Sequence, residues 1–567
     1  MTLKVLIIGG YGTFGGNIAR LLADRDEVEL IIAGRSHAKA EEFCKTVSGR
    51  ASIKPAVFDR NGDFQTQLAS FQPDIVVDAS GPFQAYGDDP YRVVRAALAL
   101  GVDYLDLADG SDFVSGIAIF DSEAKAKNIV LLSGVSSFPV LSTAVVRRLA
   151  ADMAQVETIT AGLAPSPHSG LGSSVIAAIA SYAGKPVRLW RDGHEVTALG
   201  LVETKRFHIR PPGLTPLSRS HFSLVDVPDL RLIPPLWPGL QSTWIGVGTS
   251  PALLHRLLNL LARLVKWRIV PSLTPLAGLI HWTTEQIRIG ERRSGMVVQV
   301  EGRDASGERR RKSWHVITEG NDGQMIPSMP VAALIRQRLE SLRRPAGARA
   351  ALQELELADF DPFFAERSIR YRFRDDGALS PEMPLYQRVL ADAWFELPLP
   401  IRQMHETSTA LASGAAEVTR GGSLLSRLVA RIFGFPKADA DIPVSVRFSR
   451  QEGRETWTRR FGGKTFSSEQ YEGQGSNAGL VCERFGPFVF AMALVLDQDR
   501  LRLVVRRWSA FGIPMPAFLA PTGEAFERVE HGCFHFHVEI RLPLAGLIVR
   551  YRGWLAVEQD SPATPPP

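Results

Sequence analysis

Hydrophobic positions follow two different patterns within residues 1–152. Residues 5–8 form an apolar run without a polar interruption, and 28–33 form a second, mostly apolar run. Such runs are typical of strands buried on both faces of a parallel sheet. Segments 37–46 and 91–100 instead place apolar residues at helical spacing. Because strand and helix patterns alternate throughout this region, we predict an α/β fold with a doubly wound parallel sheet of the Rossmann type.

Glycines follow the first predicted strand directly. Gly10, Gly12 and Gly15 have the spacing G-x-G-x-x-G, in which the glycines permit a tight turn, a close approach to a pyrophosphate and close helix packing. A phosphate would bind at the start of the helix that follows. We therefore predict a dinucleotide-binding loop, and the alternative is a purely structural glycine turn. The predicted loop consists of Gly9, Gly10, Tyr11, Gly12, Thr13, Phe14 and Gly15.

The end of the second predicted strand indicates which dinucleotide binds. An Asp or Glu at this point would bind the ribose hydroxyls of NAD, but this chain has Gly34, Arg35 and Ser36. The guanidinium of Arg35 can bind a 2′-phosphate through two hydrogen bonds. The sequence therefore favours NADP over NAD, with Arg35 and Ser36 at the 2′-phosphate. The alternative is that Arg35 is a solvated surface cation.

Two further loops follow predicted strands of the same sheet. Asp59 ends the third strand, and Ala79, Ser80, Gly81 and Pro82 follow the fourth. Ligands of such sheets bind beyond the carboxyl ends of the strands. We therefore expect these five residues at the cofactor, with residues 80–82 beside the nicotinamide ribose.

Tyr86 is the predicted catalytic residue, as a proton donor at the edge of the cofactor. A phenol has an ordinary pKa of about 10, so it needs a neighbouring cation to act at neutral pH. The alternative is that Tyr86 is a packed or cofactor-stacking aromatic residue.

Several separate motifs carry a family resemblance. The segments GGYGTFG, AGR, DASGPF, YLDLAD and SSFPVLS resemble the saccharopine dehydrogenase-like NADP-binding oxidoreductases, although Val140 replaces a glycine that the family usually has. The resemblance covers the chain to about residue 344. It implies a Rossmann domain at 1–152 that is completed by a helix within 319–344. It also implies an inserted α/β substrate domain at 153–318 and nicotinamide-dependent chemistry on a small-molecule substrate, either lipid-like or derived from an amino acid.

The segment 251–282 contains an amphipathic helix pattern. One helical face carries leucines, and cations occupy the other side. This face either covers the sheet of the substrate domain or lies at a membrane interface. The leucines are Leu253, Leu257, Leu260, Leu261 and Leu264.

The C-terminal part has a different pattern. Residues 345–380 contain charge runs, and an Arg-Arg-Pro-Ala-Gly break lies at their start, at 343–347, so we predict a linker. Short alternating strands within 381–560 predict an α+β module with a curved antiparallel sheet. Segments 459–463, 483–487 and 550–554 resemble a bacterial domain of unknown function, DUF4166. We predict an apolar pocket inside this sheet, with His405 and Glu483 as its polar groups.

Composition limits the remaining function classes. The 567 residues include 65 basic and 60 acidic side chains, a net charge of +5 that is too mild to indicate nucleic-acid binding. Three scattered cysteines indicate neither a disulfide framework nor a metal site. Without a signal-peptide pattern, we expect a cytoplasmic protein that contacts the inner membrane peripherally through 251–282, and we expect a homodimer.

These observations lead to two hypotheses on function. The first is an NADP-dependent oxidoreductase with a lipid-like or amino-acid-derived substrate. The second is a non-catalytic NADP-binding module whose cofactor occupancy regulates lipid or partner binding by the C-terminal domain. Both depend on the glycine loop, and only the first requires a proton donor.

Overall fold

The computed structural model describes residues 2–60, 62–83, 86–169, 172–217, 221–248, 252–286, 288–406 and 409–558. Pro251 and residues 559–560, which belong to predicted segments, lie outside the described residues. The chain divides into two compact units. The first contains Met1–Ile209 and Leu217–Tyr371, and the second contains Arg210–Pro216 and Arg372–Pro567.

Parallel pairing organises the first sheet of the first unit. Its strands run in the order β6-β5-β4-β1-β2-β3, and the central residues 5–8 of β1 are almost completely buried. This burial explains the uninterrupted apolar run and confirms the predicted Rossmann sheet. The strands are β1 (Leu3–Ile8), β2 (Val28–Gly34), β3 (Ser52–Val57), β4 (Ile75–Asp78), β5 (Asp103–Asp106) and β6 (Val130–Ser133).

Helices connect these strands and begin or end at residues with clear roles. Asp63 caps α3 by accepting hydrogen bonds from two backbone N–H groups, and Gly101 ends α4 in the left-handed conformation with a φ of +71°. The helices are α1 (Thr13–Leu22), α2 (His37–Thr46), α3 (Phe64–Phe71), α4 (Arg92–Leu100), α5 (Ser111–Gly116), α6 (Asp121–Ala126) and α7 (Ser142–Ala150).

A second, mainly antiparallel sheet follows, with the order β10-β11-β12-β7-β13-β14, and β8 and β9 form a separate hairpin. This is the inserted α/β region of the first unit. Its strands are β7 (Gln155–Ala164), β8 (Pro186–Arg191), β9 (His194–Leu199), β10 (Thr204–Arg206), β11 (His221–Leu224), β12 (Ser242–Val247), β13 (Ser294–Arg303) and β14 (Arg309–Thr318). Its helices are α8 (Ser173–Tyr182), α9 (Asp229–Leu232), α10 (Ala252–Lys266) and α11 (Ala277–Gln286).

The amphipathic helix α10 buries two polar and two apolar residues, His255, Asn259, Ala262 and Val265. His255 and Asn259 both hydrogen bond to the Ser223 hydroxyl, at 2.9 and 2.8 Å. Leu253 and Leu257 are 76% and 49% exposed, whereas Leu261 and Leu264 are half-buried. The alternative in which the whole leucine face covers the sheet is therefore wrong, because the side that carries His255 and Asn259 is the buried one.

The chain then returns to the parallel sheet through α12 (Met329–Leu339) and β15 (Gly347–Ala350), before α13 (Asp361–Ala365) and β16 (Ile369–Asp375). Helix α12 follows a segment fixed to α1, because Asn17 donates to the Gln324 carbonyl and Ser328 donates to the Phe14 carbonyl. Strand β15 pairs in parallel with β6. The prediction of a linker at 345–380 is therefore wrong. The strands in this range are too short to show a clear alternation in the sequence, and backbone pairing orders them.

The second unit contains a closed antiparallel barrel. Its strands follow the order β22-β21-β20-β19-β18-β17-β27-β26-β25-β23, and pairing of β22 with β23 closes the ring. This confirms the predicted curved sheet. The helices are α14 (Leu385–Leu390), α15 (Leu399–Glu406) and α16 (Leu424–Ile432). The strands are β17 (Thr409–Arg420), β18 (Asp439–Gln451), β19 (Arg454–Phe461), β20 (Lys464–Glu472), β21 (Val481–Phe485), β22 (Phe488–Asp497), β23 (Arg500–Ala510), β24 (Ile513–Pro514), β25 (Ala525–Glu530), β26 (Cys533–Leu542) and β27 (Gly546–Val557).

Candidate functional site

The glycine loop between β1 and α1 leaves little room for side chains. Gly9 has a φ of +76°, which residues with a side chain rarely adopt. A Cβ atom on Gly15 would lie 2.4 Å from the Gly9 carbonyl oxygen, and one on Gly10 would lie 2.8 Å from the Ile7 carbonyl oxygen. These close approaches hold the start of α1 against the end of β1 and leave bare backbone on the outer side of the loop.

Helix α1 begins without a side-chain cap, because Gly12 occupies its N-cap position. The amides of Thr13 and Phe14 have no acceptor within the helix, since the first N–H groups of any α-helix lack one. Thr13 is also exposed to solvent. Free amides at the positive end of the helix dipole bind anions, so this end of α1 fits a pyrophosphate.

Tyr11 crosses from the glycine loop to the end of β2. Its phenol oxygen accepts a hydrogen bond from the Ser36 backbone N–H at 3.2 Å. Its ring also occupies the space above Gly34, where an added Cβ would lie 2.4 Å from a ring carbon. Ser36 caps α2 by accepting a hydrogen bond from the Lys39 N–H, and Arg35 is exposed. The strand thus ends in a cation and a hydroxyl, a donor set that fits a phosphate.

The loop after β4 lies against the glycine loop. An added Cβ on Gly9 would be 2.9 Å from the Ala79 carbonyl oxygen and 2.9 Å from Ser80 Cα. Gly81 and Pro82 continue this loop and are half-buried. Asp59, at the end of β3, is exposed and its backbone N–H donates to Gln67 at 2.8 Å. The structure therefore brings Ala79 and Ser80 beside the predicted phosphate loop.

Asp78 is fully buried at the end of β4 and contacts Ser80, Tyr86 and Arg60. It accepts hydrogen bonds from the Ser80 backbone N–H at 3.0 Å and from the Tyr86 hydroxyl at 3.2 Å. Arg60 Nη2 lies 3.8 Å from Asp78 Oδ2, and Arg60 Nη1 donates to Ser80 Oγ at 3.0 Å. The Arg60 guanidinium also covers the Tyr86 ring, 3.4 Å from its centroid.

Arg60 is the cation that the sequence argument required beside Tyr86. Burial nevertheless raises the pKa of the Tyr86 phenol well above its usual value, and the Asp78 carboxylate raises it further, while Arg60 opposes both. The ring packs on Phe83 and Phe113, with centroids 4.8 and 5.9 Å away. The phenol therefore stays protonated at neutral pH and is a weak acid, and proton donation by Tyr86 stays a prediction.

Asp106, which the predicted site omits, lies at the carboxyl end of β5 and is fully buried. It accepts hydrogen bonds from the Ala108 and Gly134 N–H groups at 2.9 and 2.8 Å and from the Ser133 hydroxyl at 2.9 Å. Burial raises the pKa of this carboxyl to about 7. Asp106 thus joins the loops after β5 and β6, next to the end of β4 where Asp78 lies.

Two further buried acids connect the inserted region to the same edge of the sheet. The Ser111 hydroxyl donates to Asp226 at 2.6 Å, and the Ser142 hydroxyl donates to Asp229. Burial raises the pKa of Asp229 to about 7. Because the helices carrying Ser111 and Ser142 follow β5 and β6, the inserted region meets the edge at which ligands of such sheets bind. No motif in the sequence pairs these serines with their aspartates.

Within the parts of the chain that the structure describes, no group of three or more His, Cys, Asp or Glu side chains is arranged to hold a metal ion. Among the same residues, every helix is too short or too polar to cross a bilayer.

Family models match two parts of the chain. Residues 5–132 match the saccharopine dehydrogenase NADP binding domain, and residues 397–555 match the domain of unknown function DUF4166. No curated protein matches the chain.

Three solved structures are similar at low identity. Saccharopine dehydrogenase (L-Glu forming) from Saccharomyces cerevisiae is 14% identical, with 66% of this chain and 99% of that chain covered at a TM-score of 0.46. A meso-dapdh mutant from Clostridium tetani E88 is 12% identical, with 64% and 97% covered at 0.32. GenD2 from gentamicin A biosynthesis, in complex with NAD, is 13% identical, with 55% and 72% covered at 0.28. At such TM-scores, nothing about the chemistry of this chain follows from the likeness.

The two family matches agree with the two kinds of sheet. The first lies on the parallel sheet with its glycine loop, and the second covers α15 and most of the barrel. The chain therefore carries a match to the saccharopine dehydrogenase NADP binding domain on its parallel sheet and a match to DUF4166 on its barrel.

Proposed function

We propose that the first unit is an NADP-dependent oxidoreductase acting on a lipid-like substrate. The observation that carries the proposal is the glycine cradle, in which a Cβ on Gly15 would collide with the Gly9 carbonyl oxygen at 2.4 Å. The bound cofactor supplies or accepts the hydride, while the chain binds and orients it. The uncapped start of α1 binds the pyrophosphate, and Arg35 and Ser36 bind the 2′-phosphate.

Cofactor preference is tested by titrating the full chain with NADPH and NADH and following the nicotinamide fluorescence. Arg35→Asp should weaken NADPH binding by about 30-fold, because a charge-assisted hydrogen bond to phosphate is replaced by repulsion. NADH affinity should not fall. Arg35→Lys is the matched control, since it keeps the charge but loses the fork, and should retain part of the preference. Equal NADPH affinity in all three proteins would contradict the role of Arg35.

Turnover distinguishes an enzyme from the non-catalytic NADP-binding module. Stopped-flow oxidation of bound NADPH is measured with imines, keto acids and long-chain enoyl thioesters. We expect oxidation by the long-chain enoyl class. Tight NADPH binding without oxidation across the panel would favour the non-catalytic hypothesis, for which the raised pKa of Tyr86 is the supporting observation.

The lipid-like substrate is supported by the exposed face of the inserted region. Leu253 is 76%, Leu257 49% and Leu260 47% exposed, and Trp267 and Trp282 are 58% and 60% exposed. Leu253, Leu257 and Leu260 recur at helical spacing on α10 and form one exposed apolar stripe, which monomeric proteins rarely leave in water.

Exposed cations lie beside this apolar face, at Arg256, Arg263, Lys266 and Arg268. Apolar and basic side chains on one helix bind the interface of an anionic bilayer. We therefore propose that this face contacts an anionic membrane from which the substrate is taken. A cytoplasmic location and a homodimer stay predictions.

Membrane contact is measured by co-sedimentation of the full chain with vesicles of phosphatidylglycerol and phosphatidylcholine. The double substitution Leu253→Asp and Leu257→Asp should abolish sedimentation. Ile119→Asp is the matched control, because Ile119 is 67% exposed but lies elsewhere in the first unit. Equal sedimentation of both variants would reject this surface, without affecting the NADPH titration.

A further inference from the structure

The barrel of the second unit encloses a cavity of about 670 Å³. This volume lies within the range of about 300–1,000 Å³ that is typical of small-molecule sites. Apolar side chains from widely separated strands line it, among them Phe490, Leu503, Val505, Phe536 and Val538. All five are only half-buried. Small barrels fill their interior with their own side chains, whereas this barrel leaves part of its interior open.

One part of the cavity lining is polar and deeply buried. Tyr386 and Gln470 both line the cavity, and each is 1% exposed. Among the described residues, the Tyr386 hydroxyl and Gln470 Oε1 have no hydrogen-bond partner. Buried polar atoms are almost always paired in folded proteins, so these two atoms require a partner that the chain does not supply.

The charges near Tyr386 are already paired. Arg459 lies 3.0 Å from Glu483, and His405 lies 2.7 Å from Glu527. The predicted polar groups His405 and Glu483 thus already have side-chain partners, and the His405 ring stacks on Tyr386 with centroids 3.8 Å apart. A carboxylate head group would be buried beside two glutamates without a cation of its own. These surroundings favour a neutral polar group.

Another part of the lining reaches solvent and is apolar. Ile432 on α16 lines the cavity and is 69% exposed. Leu424 and Leu428, two turns and one turn earlier on the same helix face, are 83% and 56% exposed. The cavity therefore extends from exposed aliphatic side chains on α16 to the buried oxygens of Tyr386 and Gln470.

We propose that the barrel binds a neutral long-chain lipophile that carries a hydroxyl group. The Tyr386 hydroxyl donates to the oxygen of that group, whose own O–H donates to Gln470 Oε1, and the aromatic and aliphatic lining surrounds the chain. The proposal depends only on the second unit, so it is independent of NADP binding and of any redox reaction.

The test uses the full chain and Nile red, a neutral dye whose fluorescence rises in apolar surroundings. Nile red should bind saturably, and 1-hexadecanol should displace it at concentrations about tenfold lower than hexadecanoate or hexadecane. Absence of saturable dye binding would overturn the proposal. Displacement that is equally strong with hexadecane would also overturn it, because the buried oxygens would then have no role.

Two variants locate the site. Tyr386→Phe should weaken 1-hexadecanol binding by about five- to tenfold and leave hexadecane unchanged, because one hydrogen bond is lost. Tyr471→Phe is the matched control, since Tyr471 packs outside the barrel interior against the cluster around Cys482. Val505→Trp should reduce dye binding by filling the cavity.

Equal hexadecanol affinity in Tyr386→Phe and Tyr471→Phe would overturn the polar contact, and unchanged dye binding in Val505→Trp would overturn the location. Near-ultraviolet circular dichroism of each variant, compared with that of the parent chain, verifies that the aromatic core remains folded.

Discussion

The glycine loop and the barrel cavity are two binding regions built from different parts of the polypeptide. In the loop, the proposed contacts to the cofactor come from backbone groups of seven consecutive positions, and side chains are excluded by approaches as close as 2.4 Å. In the barrel, side chains from many strands surround the space, and its two unpaired oxygens come from Tyr386 and Gln470. A backbone site therefore depends on every glycine, whereas a side-chain site distributes its affinity over many residues.

Gly15→Ala should have the largest effect. The added Cβ would lie 2.4 Å from the Gly9 carbonyl oxygen, so α1 must move away from β1. We expect NADPH binding to weaken by at least about 100-fold, measured by nicotinamide fluorescence. Gly278→Ala is the matched control, because nothing lies within 4 Å of its added Cβ. Similar NADPH affinities of the two variants would remove the contrast between the loop and the barrel.

Asp106→Asn should change how the stability of the first unit depends on pH. Burial raises the pKa of Asp106 to about 7, so the folded state holds a proton that the unfolded chain releases near pH ~4. The stabilisation is complete below pH ~4 and is lost as the pH rises to about 7. The variant should lack this loss, which amounts to about 4 kcal/mol across the window because each pKa unit corresponds to about 1.4 kcal/mol.

The measurement for Asp106→Asn is denaturant unfolding at intervals between acidic and neutral pH, with the parent chain as reference. Asp152→Asn serves as the control, because Asp152 is an exposed acid whose pKa is lowered by Lys312. Parallel stability curves for Asp106→Asn and the parent would show that Asp106 is ionised when folded.

Tyr86→Phe tests whether the predicted catalytic side chain is essential for the reaction. Because the pKa of the phenol is raised by burial and by Asp78, we expect kcat to fall by less than about tenfold with whichever substrate oxidises NADPH. A true proton donor contributes about 100-fold or more. A loss of that size, with NADPH affinity unchanged, would instead support the predicted catalytic role.

Phe536→Ala should have the smallest effect, because it removes one of many side chains that line the barrel. We expect 1-hexadecanol to bind about three- to fivefold more weakly in the Nile red assay, the loss expected for one apolar contact. Complete loss of binding in a variant that still folds would show that the cavity depends on single anchors, as the loop does.

Local spacing explains which parts the sequence predicts. The loop is contiguous, so its glycines identify both the turn and the start of α1. Arg60 was missed because its contacts with Ser80 and Tyr86 depend on strand order and not on a motif. The sequence pattern also does not predict the orientation of α10, because helical spacing shows that two faces exist and not which of them is buried. There, His255 and Asn259 bind Ser223, which is distant in sequence.

Pairing in the barrel also has a consequence for how the protein is synthesised. Strand β17 lies between β18 and β27, and β27 ends at Val557 while β17 begins at Thr409. On the ribosome, one edge of β17 therefore stays unpaired until almost the whole second unit has been synthesised and β27 emerges. An unpaired edge of this kind can pair with the wrong strand. Slower translation of the segment between β18 and β27 would lengthen this exposed interval.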